Sequence, residues 1–219
     1  MSRSVVPILL AIGFAMFVCT PFILAGAPYE ASMGIVSKIF YFHVPCAITF
    51  MVSAFVCGIA SVVYLARRNR TADHVALAAA ELAVVFGLIV LVTGPLWARK
   101  AWGVWWVWEA RLTMSLVMWM VFISYLLLRK FGGAGSEMLS AAVSVFGMAL
   151  VPFVYWSVNV WRTMHPTTNV LPSLPASMAW PILWCLVAFL CLYVAMLLVR
   201  VRLERGATAL EEAYLLLEE

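Results

Sequence analysis

The sequence predicts an all-α integral membrane protein, a bundle of six transmembrane helices with both termini in the cytoplasm. The class follows from composition: 66% of the 219 residues are hydrophobic and only 11% are charged, against roughly 45–50% and about 25% in soluble domains. Length sets the number of spans. A helix needs about 20 apolar residues to cross the hydrocarbon core, so little of the chain remains for a domain outside the membrane.

Six apolar stretches are long enough to form the spans. They run approximately over 5–25, 39–65, 75–96, 112–128, 138–156 and 178–199. The first is followed by Ala25-Gly26-Ala27, as in a signal peptide, but its apolar run is longer than the core of such a peptide, so a helix that remains in the membrane is predicted. The fourth is the shortest and lies near the lower limit for a span. We expect one membrane domain over 1–219.

The basic residues between the spans predict the orientation. The chain ends and alternate gaps hold nine of them, and the other gaps hold five. The nine are Arg3, Arg67, Arg68, Arg70, Arg129, Lys130, Arg200, Arg202 and Arg205, and the five are Lys38, Arg99, Lys100, Arg111 and Arg162. Because cytoplasmic loops carry the excess of Lys and Arg, the nine are placed inside. Three loops, about 26–38, 97–111 and 157–177, then face outwards.

Tryptophan is concentrated in the second outer loop, 97–111. The five residues are Trp97, Trp102, Trp105, Trp106 and Trp108. An aromatic belt would place Trp at both membrane interfaces, but the cytoplasmic ends of the spans contain none. If the segment is helical, Trp102, Trp106 and Glu109 share one face with Trp105. The segment then forms a flat apolar shelf that suits a large planar aromatic ligand.

Two of the three histidines, His43 and His165, map to the outer side in different loops, whereas His74 is expected to be a solvated residue at a cytoplasmic helix start. Imidazoles ligate haem iron from both sides in many proteins. The excess of basic residues in the outer loops suits the anionic propionates. The aromatic shelf, the two imidazoles and the five basic residues of the outer loops, which we call the basic rim, together predict a haem site. The five cysteines include no C-x-x-C pair, which excludes a c-type haem attachment motif and a zinc ribbon.

The segment from Trp102 to Thr113, Trp-Gly-Val-Trp-Trp-Val-Trp-Glu-Ala-Arg-Leu-Thr, resembles the tryptophan-rich "WWD" signature of haem-handling membrane proteins. The segments around His43-Val-Pro45 and His165-Pro166 resemble the two histidine segments of that group. With six spans and a length near 220, the chain is most similar to the haem exporter protein C family (CcmC) of System I cytochrome c maturation. Glu109 stands where this signature usually has Asp.

The resemblance implies a haem b site at the outer face, with His43 and His165 as axial ligands of the iron. It also implies which other residues bind the haem. These are Trp102, Trp105, Trp106, Trp108, Glu109 and Arg111, the last as a partner of a propionate.

The family resemblance further implies a location in the bacterial inner membrane and transfer of haem to a periplasmic haem chaperone, which takes it up covalently. An ABC transporter pair and a small single-span membrane protein complete the implied complex. Haem delivery rather than catalysis is expected, although the family is sometimes described as haem lyase. Membrane lipid is an expected partner, and nucleic acid is not.

Four other functions are alternatives. A haem b-containing respiratory subunit normally has histidines within its spans, and no span here has a central histidine. A secondary transporter would need a polar site at the membrane midplane, whereas Glu81, the one acidic residue within a span, lies near a cytoplasmic end. A non-haem metal centre needs three or four ligands, which His43, His165 and Glu109 would supply. The last alternative is a structural subunit without a ligand.

Overall fold

The computed structural model describes residues 4–30 and 32–218. The helices are α1 (Val5–Gly26), α2 (Phe40–Arg67), α3 (Arg70–Ala101), α4 (Ala110–Phe131), α5 (Ser136–Val160) and α6 (Ala176–Glu218), with a 3₁₀ turn over Ile35–Ile39 before α2. All six are long and apolar enough to cross a membrane. No β-strand occurs in the described part of the chain. The predicted all-α bundle of six membrane-spanning helices is therefore confirmed. Arg3, which entered the charge comparison, lies outside the described residues.

Two helices extend well beyond the apolar stretches that predicted them. α6 continues through the tail as one helix of 43 residues. α3 continues to Ala101 and so includes Trp97. The segment without helix between α3 and α4 is therefore 102–109, which we call the Trp loop. Residues 161–175 between α5 and α6 form a second irregular segment, the His165 loop.

The second helix lies at the centre of the bundle. α2 packs against α3, α5 and α6, while α4 pairs with α5 and α1 with α6. The α2–α3 contact is close because small side chains, including Ala54, Cys57 and Ala79, are fully buried there. Ser53 Oγ on α2 donates a hydrogen bond of 2.7 Å to the carbonyl of Ala79 on α3. The positions of side chains on α2 and α3 are thus fixed relative to each other.

Charged residues join the helices at the end of the bundle opposite the Trp loop. Arg129 of α4 donates two hydrogen bonds of 2.8 Å to Asp73 of α3. Arg200 of α6 similarly binds Glu81 of α3, at 2.5 and 2.7 Å. The prediction for His74 is wrong: it is half-buried, and its Nε2 lies 3.2 Å from the hydroxyl of Thr208 on α6. The sequence could not reveal that α6 packs against this end of α3 and covers the histidine.

Candidate functional site

A cavity of about 180 Å³ lies at the Trp-loop end of the bundle, between α2, α3, α4, α5 and the two irregular loops. Its walls are mainly apolar and aromatic. They include five of the predicted site residues, namely His43, Trp102, Trp106, Arg111 and His165. Two imidazoles separated by more than a hundred residues in sequence thus face one cavity.

His43 enters the cavity from the first turn of α2, a rigid position beside α3. Its Nδ1 lies 2.9 Å from the hydroxyl of Thr93 on α3. The backbone of α3 also approaches the ring closely, because a Cβ built at Gly94 would lie only 3.3 Å from His43 Cε1. The imidazole is therefore held by both a hydrogen bond and a close packing contact.

His165 reaches the cavity from the His165 loop. Its Nδ1 lies 2.9 Å from the carbonyl oxygen of Pro166. Burial, followed by the positive charge of Arg111, lowers the pKa of His165 below its ordinary value, although the Pro166 carbonyl and Glu109 oppose that shift. A lowered pKa favours the neutral imidazole, which is the form that ligates metals.

The Trp loop does not form the expected helical shelf. Residues 102–109 are a turn followed by irregular backbone, in which Gly103 has φ +76°, a left-handed conformation that favours glycine. Because spacings of three and four no longer place side chains on one face, the shelf prediction is wrong. Trp102 and Trp106 line the cavity, whereas Trp105 and Trp108 are 56% and 75% exposed.

Two indole rings of the Trp loop, those of Trp102 and Trp106, each contact a further tryptophan at an edge. Trp106 meets Trp108 with ring centroids 5.7 Å apart, and Trp102 meets Trp97 at 5.5 Å. Such edge-to-face pairs are the favoured geometry for aromatic rings. Each cavity-lining indole is therefore supported by a second indole.

Glu109 and Arg111 connect the Trp loop to its neighbours. Glu109 Oε2 accepts a hydrogen bond of 2.8 Å from the backbone N–H of Met164. Arg111 Nη1 donates to the carbonyls of Val154 and Tyr155 on α5, at 2.6 and 3.2 Å. Arg111 lines the cavity, whereas Glu109 does not.

The basic residues near the cavity are partly engaged elsewhere. Arg99 donates to the carbonyl of Gly103 and lies 6.0 Å from the ring centre of Trp105. Lys38 donates to the carbonyl of Leu24 instead of pointing at the cavity. Of the predicted basic rim, Arg111 is thus the residue that the structure brings to the cavity wall.

The chemistry of the cavity fits haem in three respects. It presents two nitrogen donors, walls of aromatic rings, and a guanidinium for an anionic group. In addition, the indole N–H of Trp106 is buried and has no hydrogen-bond partner among the residues described. A buried donor without an acceptor is costly, and a carboxylate of a ligand would supply one. Within the same residues, no group of three or more His, Cys, Asp or Glu side chains is arranged to hold a metal ion.

Sequence reasoning missed two residues beside His43. Thr93 and Gly94 lie inside the third apolar stretch and appear there as ordinary membrane-helix residues. Their proximity to His43 depends on how α2 and α3 are paired, which sequence periodicity does not reveal. A Thr-Gly-Pro run near the Trp-loop end of α3 was the only available signal.

Fold and site together define a class: a polytopic helical membrane protein with a two-histidine aromatic cavity at one end. Comparison with known families identifies the particular one. The family model described as Heme exporter protein C (CcmC) matches residues 1–213, and the chain belongs to this family.

Curated relatives agree with this family membership. The chain is 33% identical over 191 residues to Heme exporter protein C of Haemophilus influenzae, covering 83% of this chain and 76% of that protein. It is 32% identical over 183 residues to the protein of the same name from Escherichia coli K12, covering 80% and 73%. It is 34% identical over 184 residues to Heme exporter protein C of Bradyrhizobium diazoefficiens, covering 81% of this chain and 70% of that protein.

Proposed function

We propose that the protein binds haem b in the cavity at its Trp-loop end and delivers it for the maturation of c-type cytochromes. The observation that carries this proposal is that His43 and His165 line the same aromatic cavity from two different elements. Membership of the Heme exporter protein C family supports a haem-handling role. In this proposal the two imidazoles are the axial ligands and haem is the cargo.

The cavity is small in comparison with a porphyrin. Its volume of about 180 Å³ is below the roughly 300–1,000 Å³ of pockets that enclose drug-sized ligands. A porphyrin, which is larger than most such ligands, would be only partly covered. The exposed rings of Trp105 and Trp108 lie next to the cavity-lining indoles and would be available to the acceptor. We propose that the acceptor is a periplasmic haem chaperone.

The proposed setting is the bacterial inner membrane, with an ABC transporter pair and a small single-span protein as partners. The Trp-loop end faces the periplasm in this proposal, because the eight described residues of the larger basic set lie toward the other end of the bundle. A reporter fused to the end of α6 is expected to be active only in the cytoplasm, and one inserted near Pro172 only in the periplasm. The reverse pattern would contradict both the orientation and the periplasmic acceptor.

The haem proposal is tested by titrating the detergent-purified protein with hemin and recording its absorption spectrum. We expect a Soret band typical of two histidine ligands, weakened in His43→Ala and His165→Ala and partly restored by imidazole. His74→Ala is the matched control, because His74 lies at the opposite end of the bundle. A wild-type protein without such a band, or loss of the band only in His74→Ala, would overturn the proposal.

A further inference from the structure

Thr93 fixes which nitrogen of His43 carries the proton. Its hydroxyl donates a hydrogen bond of 2.7 Å to the carbonyl of Ile89, one turn earlier in α3. A hydroxyl has only one proton to donate, so the oxygen acts as an acceptor toward His43 Nδ1 at 2.9 Å. Nδ1 is then protonated, and Nε2 retains the lone pair that a metal needs.

The loop histidine has the same tautomer for a related reason. His165 Nδ1 lies 2.9 Å from the carbonyl oxygen of Pro166, and a carbonyl only accepts hydrogen bonds. His165 therefore also carries its proton on Nδ1 and leaves Nε2 free. The imidazoles of His43 and His165 thus have the same tautomer, with a proton on Nδ1 and a free lone pair on Nε2, and both line one cavity.

Gly94 adds a steric constraint to this hydrogen bond. A Cβ at this position would meet His43 Cε1, the carbon between the two ring nitrogens, at 3.3 Å. That contact is closer than ordinary van der Waals distance, so a side chain at position 94 would push the ring away by a few tenths of an ångström. Because His43 lies on α2 and both neighbours lie on α3, the pairing of these helices determines where Nε2 points.

We propose that Thr93 and Gly94 are positioning residues for haem ligation, which hold His43 with Nε2 as the ligating nitrogen. The inference rests on the proposed haem site. Residues that hydrogen-bond a metal-ligating histidine fix its tautomer and orientation, and their loss typically lowers metal affinity about 10–100-fold. Thr93 is expected to act through His43 without touching the haem.

The first test is made without haem. The protein is purified with ¹⁵N-labelled histidine, and the ring nitrogens of His43 are assigned by their loss in His43→Gln. Wild type and Thr93→Ser are expected to show protonated Nδ1, whereas Thr93→Val populates both tautomers. The matched control is Thr49→Val, because Thr49 makes the same backbone bond on α2, to the carbonyl of Pro45, but lies outside the cavity lining. Protonated Nε2 in wild type, or an unchanged tautomer in Thr93→Val, would overturn the inference.

The second test measures hemin affinity and the electron paramagnetic resonance spectrum of the ferric complex. Thr93→Val is expected to lower the affinity about 10–100-fold, while Thr93→Ser and Thr49→Val keep the wild-type value. Gly94→Ala is expected to shift the resonance positions, because the ring must move away from the added Cβ. Wild-type affinity in Thr93→Val would overturn the inference while leaving the haem site intact. Failure of wild type to bind hemin would instead overturn the proposed function, and the tautomer measurement would then decide only whether Thr93 sets the protonated nitrogen of His43.

Discussion

Glu109 and Met164 are joined across two loops, because Glu109 Oε2 accepts a hydrogen bond of 2.8 Å from the backbone N–H of Met164. Met164 immediately precedes His165. The carboxylate of the Trp loop therefore holds the segment that brings the second imidazole to the cavity. The carboxylate thus contributes to the site through the His165 loop, since it is not itself part of the cavity wall.

Removing this carboxylate should loosen the His165 loop. Glu109→Ala leaves the Met164 N–H without its partner, and a hydrogen bond to a charged group contributes about 1.5–3 kcal/mol. We expect faster hydrogen exchange over 161–175 and weaker hemin binding, with Glu109→Gln intermediate because its amide oxygen still accepts. Glu30→Ala is a matched control, since Glu30 makes the same type of bond to Met33 in another loop. Unchanged exchange over 161–175 in Glu109→Ala would show that the contact does not hold the loop.

Trp106 and Trp108 should differ in what they contribute. Trp106→Phe keeps an aromatic ring at the cavity wall but removes the indole N–H that lacks a partner. If that group meets a propionate, hemin affinity should fall roughly tenfold or more. Trp108→Phe should leave affinity near the wild-type value, because the ring is 75% exposed. Trp108→Ala should mainly reduce transfer to the proposed periplasmic haem chaperone. Hemin titration measures the affinity, and the yield of covalently loaded chaperone measures the transfer. If affinity and yield fell by the same factor in every variant, Trp106 and Trp108 would not have separate roles.

The charge of His165 should depend on Arg111. Burial and this guanidinium lower the pKa of His165, so the ring stays neutral to a pH below the ordinary histidine value of about 6.5. Arg111→Gln removes one of the two causes, and the pKa should rise toward that value. Proton binding would then compete with ligation at a higher pH than in wild type. Histidine NMR titration of the haem-free protein checks the shift, and an unchanged or lower pKa in the variant would contradict this electrostatic account.

Stability at the opposite end should depend on the pair between Asp73 and Arg129. Both side chains are largely buried, at 13% and 15% exposure, and removing one member of a buried pair costs about 3–5 kcal/mol. Asp73→Ala should therefore lower the free energy of unfolding in detergent by about that amount. Glu212→Ala is the control, because its pair with Arg70 is exposed and such pairs contribute at most about 1 kcal/mol. Similar losses in both variants would contradict the role of burial.

The sequence alone was enough to predict the six helices, since each contains a long and predominantly apolar run. It also predicted five residues that the structure brings to one cavity. The irregular backbone of the Trp loop could not be predicted, because the left-handed conformation at Gly103 changes which side chains share a face. Thr93 lies 50 residues from His43, and no local pattern links the two. Contacts between elements distant in sequence were the part that required the structure.

The two hydrogen-bond acceptors behind the imidazoles, a hydroxyl and a backbone carbonyl, have a consequence for how long haem would stay bound. Both are uncharged. A carboxylate in that position raises the basicity of a ligating imidazole and strengthens its bond to the metal. For haem bound as proposed, neutral acceptors orient both rings without this added electron donation. Haem would then stay on the protein for a shorter time than at a site where carboxylates accept these hydrogen bonds. A short residence time suits a carrier whose histidines must let go of the haem iron when an acceptor arrives.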